Sequence, residues 1–125
     1  TPGQVNNNLI DFTDLLPTVA DAAGFTIPSS YGTIDGRSFY KQLKGLPNTP
    51  RDWVFCHYPI FIESSRQSSL KRWINNTNYK LYDTSGKFYN IITDPTESSP
   101  IRDSKLTEAE TLLKTQYQSA MATMH

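Results

Sequence analysis

Tyr79-Lys80-Leu81-Tyr82-Asp83-Thr84-Ser85-Gly86-Lys87-Phe88-Tyr89-Asn90-Ile91-Ile92 decides the fold. Two runs of aromatic and branched residues flank Asp83-Thr84-Ser85-Gly86, and a glycine at the end of that connection can take positive φ, so the stretch predicts a β-hairpin. Upstream, Trp53, Phe55 and His57 alternate with Val54, Cys56 and Tyr58, which predicts a strand ending at Pro59 with side chains on two faces. A polar, Ser-rich loop is expected over residues 62–69, then another strand around residues 70–74. Downstream, residues 93–104 hold two prolines and few apolar positions and read as a loop.

Thr107-Glu108-Ala109-Glu110 matches a capping box, in which Thr107 and Glu110 satisfy free backbone amides reciprocally. Leu106, Ala109, Leu112, Leu113, Tyr117, Ala120, Met121 and Met124 then predict a long helix with one apolar stripe for a sheet face. Near the N-terminus, Phe12, Leu15, Leu16, Val19, Ala22 and Ala23 recur at helical spacing. Pro17 is tolerated only in a first turn, which makes Asp14 the expected N-cap and Gly24 the left-handed stop. Residues 28–37 are rich in turn formers, and Ser38 is expected to cap a short helix carrying Phe39, Tyr40 and Leu43 before Gly45.

The expected class is α+β: a small antiparallel sheet of three to four strands packed with a long C-terminal helix and a short N-terminal helix. Residues 1–50 form a helical and loop segment and residues 51–125 the sheet plus terminal helix, together one compact domain.

Composition narrows the function. With 12 Lys+Arg against 12 Asp+Glu in 125 residues and no basic block, there is no electrostatic footprint for nucleic acid or an anionic membrane surface. One Cys excludes an internal disulfide framework, and two His cannot supply a His-rich metal cage, so no metal site is expected. The opening Thr1-Pro2-Gly3 lacks an initiator Met, a charged n-region and an apolar h-region, and residue 1 reads as a cut point.

Cys56-His57 is the most tempting reactive pair. A nucleophilic thiolate needs a base within reach, yet adjacent strand residues point to opposite faces, so Cys56 reads as a buried structural thiol. His57 reads as a packed, hydrogen-bonded residue sooner than a ligand. Asp11 and Asp14, three apart, are explained by capping and loop hydrogen bonds without acid–base chemistry. Gly24, Gly32, Gly36 and Gly45 lack phosphate-loop spacing and are assigned to turns. Asn75-Asn76-Thr77 satisfies the glycosylation sequon, a short pattern common by chance. No complete catalytic constellation emerges.

The order of motifs says more than any one of them. Asp14-Leu15-Leu16-Pro17-Thr18 with Ala22-Ala23-Gly24, then Ile34-Asp35-Gly36-Arg37-Ser38 with Leu43 and Gly45, resembles the D-L-x-P-T … A-G … D-G-x-S … L-x-G run of type I, formylglycine-dependent sulfatases. Val54-Phe55-Cys56-His57-Tyr58-Pro59 resembles their H-Y-P segment. Tyr79-Lys80-Leu81 resembles their Y-K-L strand, and Tyr89-Asn90 with Asp94-Pro95-Thr96-Glu97 their L-Y-D-L … D-P-x-E. The likeness spans residues 5–120 and is to the C-terminal part of such an enzyme, a member of the alkaline-phosphatase-like superfamily. Asn90 stands where relatives have Asp, and the eight residues from Arg72 to Lys80 suggest an insertion near residues 75–78.

The resemblance implies a subdomain that packs on an N-terminal catalytic domain and edges its substrate cleft, with His57 and Arg66 as cleft-edge, substrate-binding candidates. The parent would hydrolyse sulfate esters of carbohydrate with formylglycine and Ca²⁺, in a periplasmic, extracellular or lysosomal setting. Those groups belong to a C/S-x-P/A-x-R segment and acidic ligands upstream. Cys56 is followed by His57, Tyr58, Pro59 and Ile60, so it is not that nucleophile. The segment alone is expected to be inactive, without catalytic residues, metal or cofactor, and its partner is the parent's catalytic domain. Self-association through the first helix is the other expectation. A free-standing interaction module derived from a sulfatase, or a Cys56-dependent hydrolase, are the competing readings.

Overall fold

A computed structural model describes residues 3, 5–61 and 68–124. The chain forms two units, Thr1–Asp52 and Trp53–His125.

In the N-terminal unit, a 3₁₀ turn at Phe12–Asp14 runs into helix α1 (Leu15–Ala22), with Pro17 third in the helix. Asp14 is the N-cap residue of α1 as expected, but the side-chain capping bonds are made one turn earlier, at Asp11. The Asp11 carboxylate accepts from Thr13 N at 3.1 Å, and the Asp14 carboxylate reaches back to Asp11 N at 2.8 Å. Asp14 makes no side-chain cap on α1 because its oxygens are taken by groups distant in sequence. Gly24, at φ +66°, ends the helix as expected: its N–H reaches Asp21 O at 3.1 Å and that of Phe25 reaches Ala20 O at 2.8 Å, the paired bonds of a Schellman stop. A 3₁₀ turn at Ser29–Tyr31 interrupts the following loop, and the short helix α2 covers Tyr40–Leu43. Ser38 Oγ accepts from Tyr40 N at 3.2 Å, although Phe39 is the boundary residue.

Burial on α1 inverts the usual amphipathic rule. Asp14, Thr18 and Ala20 are buried, whereas Phe12 (89% exposed), Val19 (65%), Leu16 and Leu15 face outward.

The C-terminal unit carries strands β1 (Val54–Phe61), β2 (Ser68–Asn75), β3 (Tyr79–Tyr82) and β4 (Phe88–Asn90) in one antiparallel sheet of order β1-β2-β3-β4. The fold is thus α+β, with four strands among the described residues. β1 continues through Pro59, which was expected to end it; Pro59 pairs with Leu70. An edge strand turns half its backbone groups away from the sheet, so one missing N–H is tolerated there. Of the expected 62–69 loop, residues 62–67 lie outside the described residues, and β2 already begins at Ser68.

The suspected insertion is the β2–β3 turn, where Asn76 Oδ1 accepts from Asn78 N at 2.8 Å and Tyr79 N at 2.7 Å. In the hairpin, Gly86 takes φ +62° and Tyr82 N meets Lys87 O at 3.0 Å. β4 stops at Asn90, before the expected Ile92, because Asn90 Oδ1 accepts from Ile92 N and Thr93 N at 3.1 Å and folds the chain into a turn.

Register aligns Phe55 with Ile74, Ile74 with Leu81, and Leu81 with Phe88, which places all four on one sheet face. Helix α3 (Glu108–Ala122) supplies Tyr117 and Met121 to that face, and Ile74, Leu81, Phe88, Tyr117 and Met121 form the buried core. Each such side chain contributes roughly 1.5–3 kcal/mol by burial. The capping box forms as expected, with Glu110 N on Thr107 Oγ1 at 3.2 Å and Thr107 N on Glu110 Oε2 at 2.9 Å. The apolar stripe is narrower than expected: Leu112 and Ala109 are exposed, since β3 and β4 are only four and three residues long and offer a single seam. Arg72 stops α3 from the side, donating to Met121 O at 2.9 Å and Met124 O at 2.8 Å.

Candidate functional site

Two side-chain networks and one groove stand out. The first surrounds Asp14, which is 2% exposed. Its carboxylate accepts from Arg37 N at 2.7 Å, Asp11 N at 2.8 Å and Arg51 Nε at 2.7 and 2.9 Å, and also pairs with Arg51 Nη2. One turn on, Thr18 Oγ1 donates to Asp14 O at 2.6 Å and accepts from Phe39 N at 3.0 Å. A further turn on, Asp21 accepts from Ser38 Oγ at 2.7 Å. Residues 14, 18 and 21 share a helix face; Asp14 and Thr18 turn inward because they satisfy the backbone N–H groups of Arg37 and Phe39, while the exposed Asp21 takes the Ser38 hydroxyl. Burial raises the Asp14 pKa, but the Arg51 guanidinium and the two amides outweigh it and hold the carboxyl below the usual carboxylate range. Asp14 is therefore an ionised structural anion without a proton to give.

Gly36 completes this network. A β-carbon there would overlap the Thr13 carbonyl oxygen and stand 3.0 Å from Pro17 Cγ. Close approach between the loop and the root of α1, more than a turn, makes this position glycine.

The second network lies on the sheet face opposite the core. Lys80 Nζ sits 4.6 Å from the Trp73 ring centroid and 4.7 Å from that of Tyr82, and bonds Glu97 Oε1 at 2.7 Å. Tyr82 Oη donates to Glu97 Oε2 at 2.6 Å, and Tyr89 meets Tyr82 edge-on at 6.0 Å. Glu97 reaches this position from a left-handed backbone, φ 53°, in a loop pinned by Asp94, whose carboxylate accepts from Ser98 N at 3.1 Å and Ser99 N at 2.8 Å. Burial disfavours the Lys80 ammonium, yet the bonds to Glu97 and Tyr82 more than compensate and raise its pKa. A cation so held is no nucleophile or base.

Of the residues singled out in sequence, Arg66 lies outside the described residues. His57 is exposed on β1, opposite Arg72, so the packed environment expected for it is absent. Cys56 is half-buried, less enclosed than expected, and pairs with Trp73, one residue along the strand from His57 and hence on the other face. The two side chains cannot act as a nucleophile–base couple. Asn75 of the sequon is half-buried within the ladder, paired with Val54 and Lys80, and its amide donates to Asn76 O at 3.2 Å.

Among the described residues no three His, Cys, Asp or Glu side chains converge to hold a metal ion, and no helix is long and apolar enough to cross a membrane.

The groove belongs to the N-terminal unit. Leu16, Val19, Ala23, Phe25, Ile27 and Tyr31 are among the residues lining an open apolar concavity of about 270 Å³. Neither it nor Arg51 was singled out in sequence, because a groove has no local signature and Arg51 follows a proline loop with no periodic pattern. Neither a family model nor a curated protein sequence matches this chain.

Proposed function

We propose that this chain is the C-terminal segment of a formylglycine-dependent sulfatase, inert alone and supporting the cleft of a parent that hydrolyses sulfated carbohydrate. The observation that carries the reading is that the resembling motifs work in physically coupled pairs. D-L-x-P-T meets D-G-x-S through the bond of Arg37 N to Asp14 and the close approach of Gly36 to Pro17, and Y-K-L meets D-P-x-E through Lys80 and Glu97. Motifs whose residues depend on one another in this way are harder to assemble by chance than isolated matches.

The described residues do not fit the calcium or formylglycine site, so no chemical step is derived for this chain, and the reading assigns both to sequence upstream of Thr1. The outward apolar face of α1 suits contact with that catalytic domain, and exposed His57 remains available as a cleft-edge residue. Sequencing the gene upstream of Thr1 tests the proposal: an in-frame C/S-x-P/A-x-R segment is expected, and a start codon at or near Thr1 would favour the free-standing interaction module instead. The purified 125-residue chain is expected to hydrolyse no aryl or sugar sulfate, with metal-dependent turnover above contaminant controls as the contrary result.

A further inference from the structure

The outward face of α1 has a knob at one end and a groove at the other. Phe12, 89% exposed, projects from the turn preceding the helix, while Val19, Ala23, Phe25 and Tyr31 frame the 270 Å³ concavity at its far end. Between them Leu15 is about half exposed, and Leu16, exposed to a similar degree, forms the near wall of the groove. Helical spacing keeps positions 15, 16, 19 and 23 within an arc of roughly 100°, and Phe12 lies in the 3₁₀ turn that leads into them.

We propose that two copies of this chain pair antiparallel through α1, each Phe12 entering the groove of the other. A knob and a groove at opposite ends of one face are self-complementary under a two-fold axis through the middle of the helix, the isologous geometry of cyclic dimers. Antiparallel pairing sets position 12 of one copy beside position 23 of the other, roughly 16 Å along the axis. The area agrees. Phe12, Leu15, Leu16, Val19, Phe25 and Tyr31 leave on the order of 800 Å² exposed, about what one partner contributes to a standard stable interface. An aromatic side chain entering a concave pocket is also a usual anchor of such an interface. The pairing uses the face of α1 that the sulfatase reading gives to the catalytic domain, so it is a property of the 125-residue chain by itself and is tested on that chain.

Sedimentation of the 125-residue chain across micromolar to millimolar concentration tests it. A reversible dimer is expected, weakened at least about tenfold by Phe12→Ala and by Ala23→Glu, with unchanged circular dichroism because both positions are exposed. Ile92→Ala, also exposed but in the other unit, is expected to leave dimerisation intact. A strict monomer, or a dimer that resists either α1 substitution or dissociates with Ile92→Ala, overturns the proposal.

Discussion

At Gly36 the obstacles to a side chain are the Thr13 carbonyl and the Pro17 ring, both part of the turn from which α1 grows. Neither is a flexible side-chain end able to swing aside. Gly36→Ala is therefore expected to destabilise the N-terminal unit by about 3 kcal/mol or more; a urea midpoint equal to the parent's would show that the loop yields instead. Asp14 behaves differently, since its cost is electrostatic. Asp14→Asn removes one partner of a nearly buried ion pair and is expected to cost about 3 kcal/mol at neutral pH. Because the folded-state pKa of Asp14 is depressed, its contribution is present above the unfolded value near pH 4 and fades as pH falls through the folded value. Thermal melts between pH 6 and pH 2 should show that loss in the parent, and a shallower one in Asp14→Asn.

Elements are joined by a few such residues. Helix α3 starts at a capping box, and Thr107→Ala, which removes one half of it, is expected to cost about 1 kcal/mol in denaturant unfolding. The loop after β4 is held to the sheet by Glu97, whose charge is favoured by Lys80 and Tyr82 despite burial. Glu97→Gln would keep a hydrogen-bond acceptor for Tyr82 but remove the negative charge beside Lys80. A loss of about 1–2 kcal/mol is expected, together with a lower Lys80 pKa; NMR titration of the lysine side chain reads the second effect separately. An unshifted Lys80 would assign its raised affinity for the proton to the aromatic rings alone.

Across the whole molecule the two units are stabilised by different means. Trp53–His125 has five large, nearly inaccessible apolar side chains at its centre, whereas among the described residues of Thr1–Asp52 the buried positions are Ala20, Thr18 and Asp14. A unit this size with almost no apolar core has little stability to spare. Hydrogen exchange should therefore show lower protection for amides of α1 and α2 than for β2, β3 and α3, and Asp14→Asn should widen the gap. Equal protection throughout would mean that the polar network is worth as much as the hydrophobic cluster.

The sequence by itself determined what depends on near neighbours along the chain. The hairpin around Gly86, the Thr107–Glu110 capping box, the Gly24 stop and the place of Pro17 in the first turn all rest on contacts within about five residues, where residue type nearly dictates geometry. Even there it did not show that Asp14, the N-cap of α1 by position, makes no side-chain cap, because its carboxylate is claimed by Arg51, 37 residues away. Only the tertiary structure decided which face of α1 turns inward. Helical periodicity groups Phe12, Leu15, Leu16 and Val19 on one face but cannot say that the opposite face carries the oxygen atoms that Arg37, Ser38 and Phe39 require. The same holds for the Lys80–Glu97 pair, the exposure of Leu112 and the groove, each created by segments that meet only after folding. A buried polar group must find its partner wherever the fold brings one, and that demand outweighed hydrophobic patterning in the N-terminal unit.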